Sequence, residues 1–165
     1  MKKRPKAIRT RFAKDIVAEA LLPERQTGKV AVLAIGAPSG SSKLERMKFL
    51  AARGYVVVYP RYRGTWESDG YFLDRSPALD IRDVILELEK KKSVTSVATG
   101  EVFPVQVSAV HLFGGSFGGP AVLLNTDLPI VKKVIAVSPV IDWNALGEDE
   151  PFHEFVRYSC EGFGG

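Results

Sequence analysis

A single cysteine, Cys160, among 165 residues leaves no internal disulfide to form and fits a reducing compartment. Nothing in the sequence around it supplies a base, so it reads as an incidental or buried thiol rather than a nucleophile. Long hydrophobic runs are also missing. None approaches the roughly 20 residues that a membrane-spanning helix needs. Met1-Lys2-Lys3-Arg4 resembles the start of a signal peptide, but no apolar stretch follows it. A cytoplasmic location with no membrane partner is therefore expected. Histidine is nearly absent, with only His111 and His153 to serve any chemistry that needs an imidazole. Acid is absent from the first 14 residues, which hold Lys2, Lys3, Arg4, Lys6, Arg9, Arg11 and Lys14. These carry +7 and leave the other residues at −3, against a formal +4 for the chain. A basic arm of this kind can touch nucleic acid. No aromatic interleaving or nucleic-acid motif accompanies it, so it reads as a solvated terminus leading into a strand, with no nucleic-acid partner.

What is present is an ordinary globular composition, 45% apolar and 25% charged, at a length that suits one domain with a real core. Residues 1–14 form the basic arm and the start of the first strand, and residues 15–165 form the domain. Ala7 to Ala13 and Asp15 to Leu22 read as an antiparallel strand pair. Lys29 to Ile35 and Tyr55 to Tyr59 are apolar runs expected of strands covered on both faces. Between them Ser41 or Ser42 can cap a helix reaching Arg53, with Leu44, Met47, Phe49 and Leu50 on its apolar side. Ser76-Pro77 opens another helix, whose inner stripe is Leu79, Val84, Ile85 and Leu88. Ser93 to Pro104 reads as a connector, Val105 to Phe113 as a strand, Phe117 to Asn125 as a helix, and Val131 to Ser138 as a last strand. Two antiparallel strands followed by β-α-β-α-β-α-β predict an α/β fold with a mostly parallel sheet.

The strand Val110-His111-Leu112-Phe113 runs into Gly114-Gly115-Ser116-Phe117-Gly118-Gly119. This is G-x-S-x-G in a strand-to-helix context, which a nucleophile elbow requires. The glycines let strand and helix approach closely, and Ser116 is expected in strained backbone at the turn. A serine needs a base to take its proton. His111 lies five residues upstream on the same strand, about 16 Å away at about 3.3 Å per residue, so it reads as a strand residue with a local hydrogen bond. His153 precedes the place where a base falls in this order of elements, and Asp142 reads as a cap of the corner from Pro139 to Trp143 rather than as the acid. Backbone N–H groups are the expected oxyanion donors, from Phe117 and from Ala37 in the loop Gly36-Ala37-Pro38-Ser39-Gly40. That loop fails the phosphate-binding pattern, because Ser41 and Ser42 stand where glycine and lysine belong. The glycine cluster opens a late helix, which argues against a dinucleotide fold. No cofactor or metal is implied. A second motif, Arg61-Tyr62-Arg63-Gly64-Thr65-Trp66-Glu67-Ser68-Asp69-Gly70, sits at the carboxyl end of a strand, where such sheets place their sites. It admits a structural reading and one in which Arg61 and Arg63 bind a substrate carboxylate.

With these residues the chain resembles a serine hydrolase of the α/β-hydrolase superfamily. It is most similar to the group that holds prolyl oligopeptidase and the dipeptidyl aminopeptidase/acylaminoacyl-peptidases. Gly114 to Gly119 matches the group's G-x-S-x-G-G, and Tyr59-Pro60-Arg61-Tyr62-Arg63-Gly64 with Ser68-Asp69-Gly70 resembles its loop after the fourth strand. Ile35-Gly36-Ala37-Pro38 stands where many members carry His-Gly-Gly-Pro, so Ile35 and Ala37 depart from the pattern. The resemblance implies a small peptide or ester substrate and a catalytic acid and histidine after two further strands. The chain is therefore expected to be a partial α/β-hydrolase domain without its C-terminal strands, and to self-associate through an exposed sheet edge at Val131 to Val137. A non-catalytic relative that binds a ligand or partner is the alternative.

Overall fold

The structure, a computed structural model, describes residues 5–35, 44–142 and 161. Strand β1 (Lys6–Phe12) turns back into β2 (Ile16–Leu22), and the two pair antiparallel with Phe12 opposite Ile16. Ala13 and Lys14 make the turn with φ of 49° and 73°. Strand β3 (Lys29–Ile35) is followed by helix α1 (Leu44–Ala51), strand β4 (Val56–Pro60) and helix α2 (Pro77–Lys91). Short strands β5 (Ser93–Thr95) and β6 (Val102–Pro104) come next, then β7 (Ala109–Gly115), α3 (Gly118–Leu123) and β8 (Val131–Val137). The main sheet has the order β1-β2-β4-β3-β7-β8. Its β4, β3, β7 and β8 run parallel, and β2 joins β4 antiparallel. This is the expected α/β architecture with an N-terminal antiparallel pair.

Alternate residues of the buried strands feed two cores. Ala31, Leu33, Val57 and Tyr59 meet Met47, Leu50 and Ala51 of α1. Val30, Val32, Val56, Val58 and Leu112 meet α2 and α3 on the other face. Helix α2 begins where the sequence says it should. The Ser76 hydroxyl accepts the Ala78 N–H, with Pro77 in the first turn. Its inward stripe is shifted from the expected one: Ile81 is buried and Leu79 is exposed. Leu44 and Phe49 of α1 likewise face outward. The connector from Ser93 to Pro104 contains the β5–β6 hairpin, and Val97 N–H donates to Arg9 O at 2.9 Å along the outer edge of β1. Residues 105–108 precede β7 rather than belonging to it. Strand β8 pairs with β7 on one side, and among the described residues nothing pairs with the other. Ile135 and Val137 are 47% and 60% exposed there.

Three of the N-terminal basic residues, Lys6, Arg9 and Arg11, have internal partners. Lys6 pairs with Glu101 at 3.4 Å, Arg9 with Glu67 at 2.8 Å, and Arg11 with Asp69. Among the described residues no helix is long and apolar enough to cross a membrane.

Candidate active site

Strand β7 is buried through Val110 and Leu112 and ends at Gly115, and α3 starts at Gly118. The chain must therefore reverse within Ser116 and Phe117. It does so with Ser116 at φ 47°, a left-handed conformation that disfavours any residue but glycine. Ser116 is exposed while Phe117, Gly118 and Gly119 are buried. Two glycines make the turn sterically feasible. A Cβ on Gly114 would lie 2.3 Å from Gly118 O and 2.6 Å from Val122 Cγ2. One on Gly119 would lie 2.4 Å from Pro139 Cβ. The turn is also bonded to the exit of β8. Ser116 N–H donates to Val137 O at 3.0 Å, and Val140 N–H donates to Ser116 O at 3.4 Å. Ser138, just past β8, is itself at φ 45°.

Phe117 is fixed from the side by the loop after β4. Its ring centroid is 5.5 Å from that of Tyr62, edge-on, and 5.7 Å from that of Phe72. The Tyr62 hydroxyl is buried with no hydrogen-bond partner among the described residues, and burial raises its pKa far enough to keep the phenol neutral. This aromatic clamp was not visible in the sequence. Its members are 45 and 55 residues from Phe117, and no local period joins them. Four aromatic residues, Tyr62, Trp66, Tyr71 and Phe72, in a loop of mostly polar residues and glycine were the available signal.

The two loop arginines serve the fold. The Arg63 side chain is buried against three carboxylates. Its Nε donates to Asp15 at 2.6 Å, Nη2 donates to Asp83 at 2.8 Å, and Nη1 donates to Asp80. Its backbone N–H also donates to Asp80, at 2.9 Å. Burial works against the cation, but the hydrogen bonds it donates to Asp15, Asp80 and Asp83 outweigh it and hold the guanidinium above its usual pKa. Arg61 donates to Glu19 at 2.9 Å and lies over the rings of Tyr59 and Trp66. The suggested role of Arg61 and Arg63 in holding a substrate carboxylate thus gives way to the structural reading, because internal acids already engage both groups. Ser68 closes the loop, its hydroxyl donating to Arg61 O and accepting Val17 N–H.

His111 lies near the start of β7, as expected, and is turned toward Tyr55, whose hydroxyl is 3.1 Å from its Nδ1. Burial, with Lys133 and Lys29 nearby, lowers its pKa. It does not approach Ser116. Asp142 is exposed beyond the end of β8. Ala37, His153 and Cys160 lie outside the described residues.

A buried parallel sheet, an exposed serine in a strained strand-to-helix turn and a β4 loop packed against that turn define an α/β-hydrolase. Residues 13–149 match the model of the X-Pro dipeptidyl-peptidase (S15) family, and the chain belongs to that family. No curated protein matches it. Known structures agree on the fold. An acylaminoacyl peptidase from Pyrococcus horikoshii aligns over 82% of this chain and 23% of its own, at 23% identity and a TM-score of 0.54. An esterase from Pyrococcus furiosus aligns over 98% of this chain and 63% of its own, at 14% identity and a TM-score of 0.63. A predicted CIB-like hydrolase from Thermoplasma acidophilum aligns over 82% and 63%, at 19% identity and 0.56. The chain thus spans less than two thirds of each of these three.

Proposed function

We propose that this chain carries the nucleophile of a serine hydrolase that cuts peptide or ester bonds through an acyl-Ser116 intermediate. The observation behind this reading is the exposed Ser116 at φ 47° between a buried strand and a helix. Strain of this kind on a polar residue persists where function needs the side chain raised from the backbone. In the reaction Ser116 Oγ bonds to the substrate carbonyl carbon while a base takes its proton. The C–N or C–O bond then breaks, and the leaving group departs with that proton. Water cleaves the acyl ester by the same route and restores the serine. The developing oxyanion is assigned to the Phe117 and Ala37 N–H groups. Peptides are the substrate class in the family's name, and the esterase of similar fold brings esters into the same reading.

The base has to come from outside the described residues, since His111 is held by Tyr55 near the opposite end of β7. On the reading that His153 is not that base, the 165-residue chain is proposed to be a poor hydrolase by itself, with at most the residual ~10³–10⁴-fold over water that survives loss of a triad member. The test is labelling by a fluorophosphonate with peptide mapping, on this chain and on any longer natural form. A phosphonyl group on Ser116 that Ser116→Ala removes is the expected result. No label on either form would favour the second reading, a non-catalytic domain that binds a ligand or partner. The lack of any histidine in reach of Ser116 among the described residues is what supports that reading.

A further inference from the structure

We propose that Lys29, His111 and Lys133 form a binding site for a phosphate-type dianion, on the α1 face of the sheet near the start of β7 and apart from the Ser116 turn. The first ground is register. His111 pairs with Ala31 of β3 on one side and with Lys133 of β8 on the other. The register slips between Val110 and His111, so that Val131 stands opposite Val110 while Lys133, not Lys132, stands opposite His111. Paired residues of parallel strands share a face, and so do residues two apart on one strand. His111 and Lys133 thus lie on one face, and Lys29, two residues before Ala31, joins them. It is the α1 face: Ala31 packs with α1, while Leu112 and Val134 belong to the opposite core. The two lysines straddle β7 at two strand spacings, about 9.5 Å.

The second ground is contact and charge. The Tyr55 hydroxyl is 3.1 Å from His111 Nδ1, and the two ring centroids are 5.5 Å apart. Lys29 Nζ lies 5.9 Å from the centroid of the same Tyr55 ring. After burial, the charges of Lys133 and Lys29 are what lower the His111 pKa, so both ammonium groups bear on the imidazole. The groups that face it are therefore Lys29 from β3, Lys133 from β8 and Tyr55 just before β4. No acid pairs with either lysine among the described residues. Two cations beside a neutral histidine repel each other, and a dianion cancels that charge.

The third ground is the imidazole. His111 is only 7% exposed, and its Nε2 has no hydrogen-bond partner among the described residues. With the Tyr55 hydroxyl donating to Nδ1, the ring proton rests on Nε2 and can be donated to an oxyanion. A phosphate group carries about −1.5 to −2 near pH 7 and has three acceptor oxygens. Lysine binds such a group as a point charge. A carboxylate brings a single charge and leaves one lysine unmatched.

The experiment follows the His111 ring proton by NMR from pH 5 to 8, assigned with His111→Gln. The titration is run in inorganic phosphate, phenyl phosphate, acetate or chloride at equal ionic strength. Chloride corrects for screening of the lysines. A bound dianion stabilises the imidazolium, so phosphate is expected to raise the His111 pKa saturably, by about one unit over chloride. Lys29→Ala and Lys133→Ala, each compared with its own chloride titration, should weaken phosphate about three- to five-fold, as exposed ion pairs do. The double variant should lose the shift. Phosphate acting no differently from chloride overturns the proposal. So does a shift that survives in the double variant, which would put the anion elsewhere. Acetate matching phosphate overturns the dianion assignment. Phenyl phosphate binding as well as phosphate supports a phosphomonoester as the ligand, and binding of phosphate alone supports the free ion.

Discussion

At the scale of single residues, Ser116 holds a conformation that glycine would adopt without strain. A non-glycine residue in this region costs of order 1–3 kcal/mol, retained only where the surroundings enforce it. Ser116→Gly is therefore expected to stabilise the chain by about 1 kcal/mol in urea unfolding while abolishing fluorophosphonate labelling. A loss of stability instead would mean that the hydroxyl, not strain, dominates at this position. His111 gives a pH dependence with a definite sign. Its folded pKa is lowered by burial and by Lys133 and Lys29, so the unfolded chain binds the proton more readily. Its contribution is full above the unfolded histidine value of about 6.5 and is lost as pH falls below it. Unfolding followed from pH 7.5 to 5 should show stability declining, and His111→Gln should flatten that decline. An unchanged slope would place the effect elsewhere.

At the scale of elements, Arg63 joins three pieces: the β1–β2 turn through Asp15, its own loop, and the first turns of α2 through Asp80 and Asp83. Removing the cation would leave the buried Asp80 with only the backbone N–H of residue 63 and the more distant Arg75, at 4.0 Å. Loss of one member of a buried pair costs about 3–5 kcal/mol, so Arg63→Ala should destabilise by that order. It should also loosen the loop that carries Tyr62 and Phe72, read as faster amide exchange at Thr65 and Ser68. A change under about 1 kcal/mol would show that water replaces the guanidinium easily. Elements were legible where their signals are local. The runs at β3 and β4 are apolar and β-branched, and Ser76-Pro77 marks the start of α2. The β5–β6 hairpin was not legible, because three-residue strands of mixed polarity carry no countable period. Nor was the phase of α2, since the packing of the sheet decides whether Leu79 or Ile81 turns inward. The same division holds at the site. Glycine spacing announced Ser116. The grip of Tyr62 and Phe72 on Phe117, and of three acids on Arg63, arises only when distant segments meet.

At the scale of the whole molecule, the sheet has unequal edges. The outer edge of β1 is partly covered by the β5–β6 hairpin, and its cations face acids. Strand β8 presents Ile135 and Val137 beside an edge that nothing pairs among the described residues, with Lys132 and Lys133 only at its start. Such an edge is a template for another strand. The 165-residue chain is proposed to self-associate at micromolar concentration, and Ile135→Lys should shift it toward monomer. Light scattering after size exclusion checks both; a clean monomer before any substitution would refute it. The Arg63 junction has a further consequence, in time rather than in space. Asp15, Arg63, Asp80 and Asp83 all precede Gly114 in the chain, so during synthesis every member of the junction leaves the ribosome before the serine turn exists. Every residue of the surface on which Phe117 rests is therefore synthesised before the strained turn that it supports.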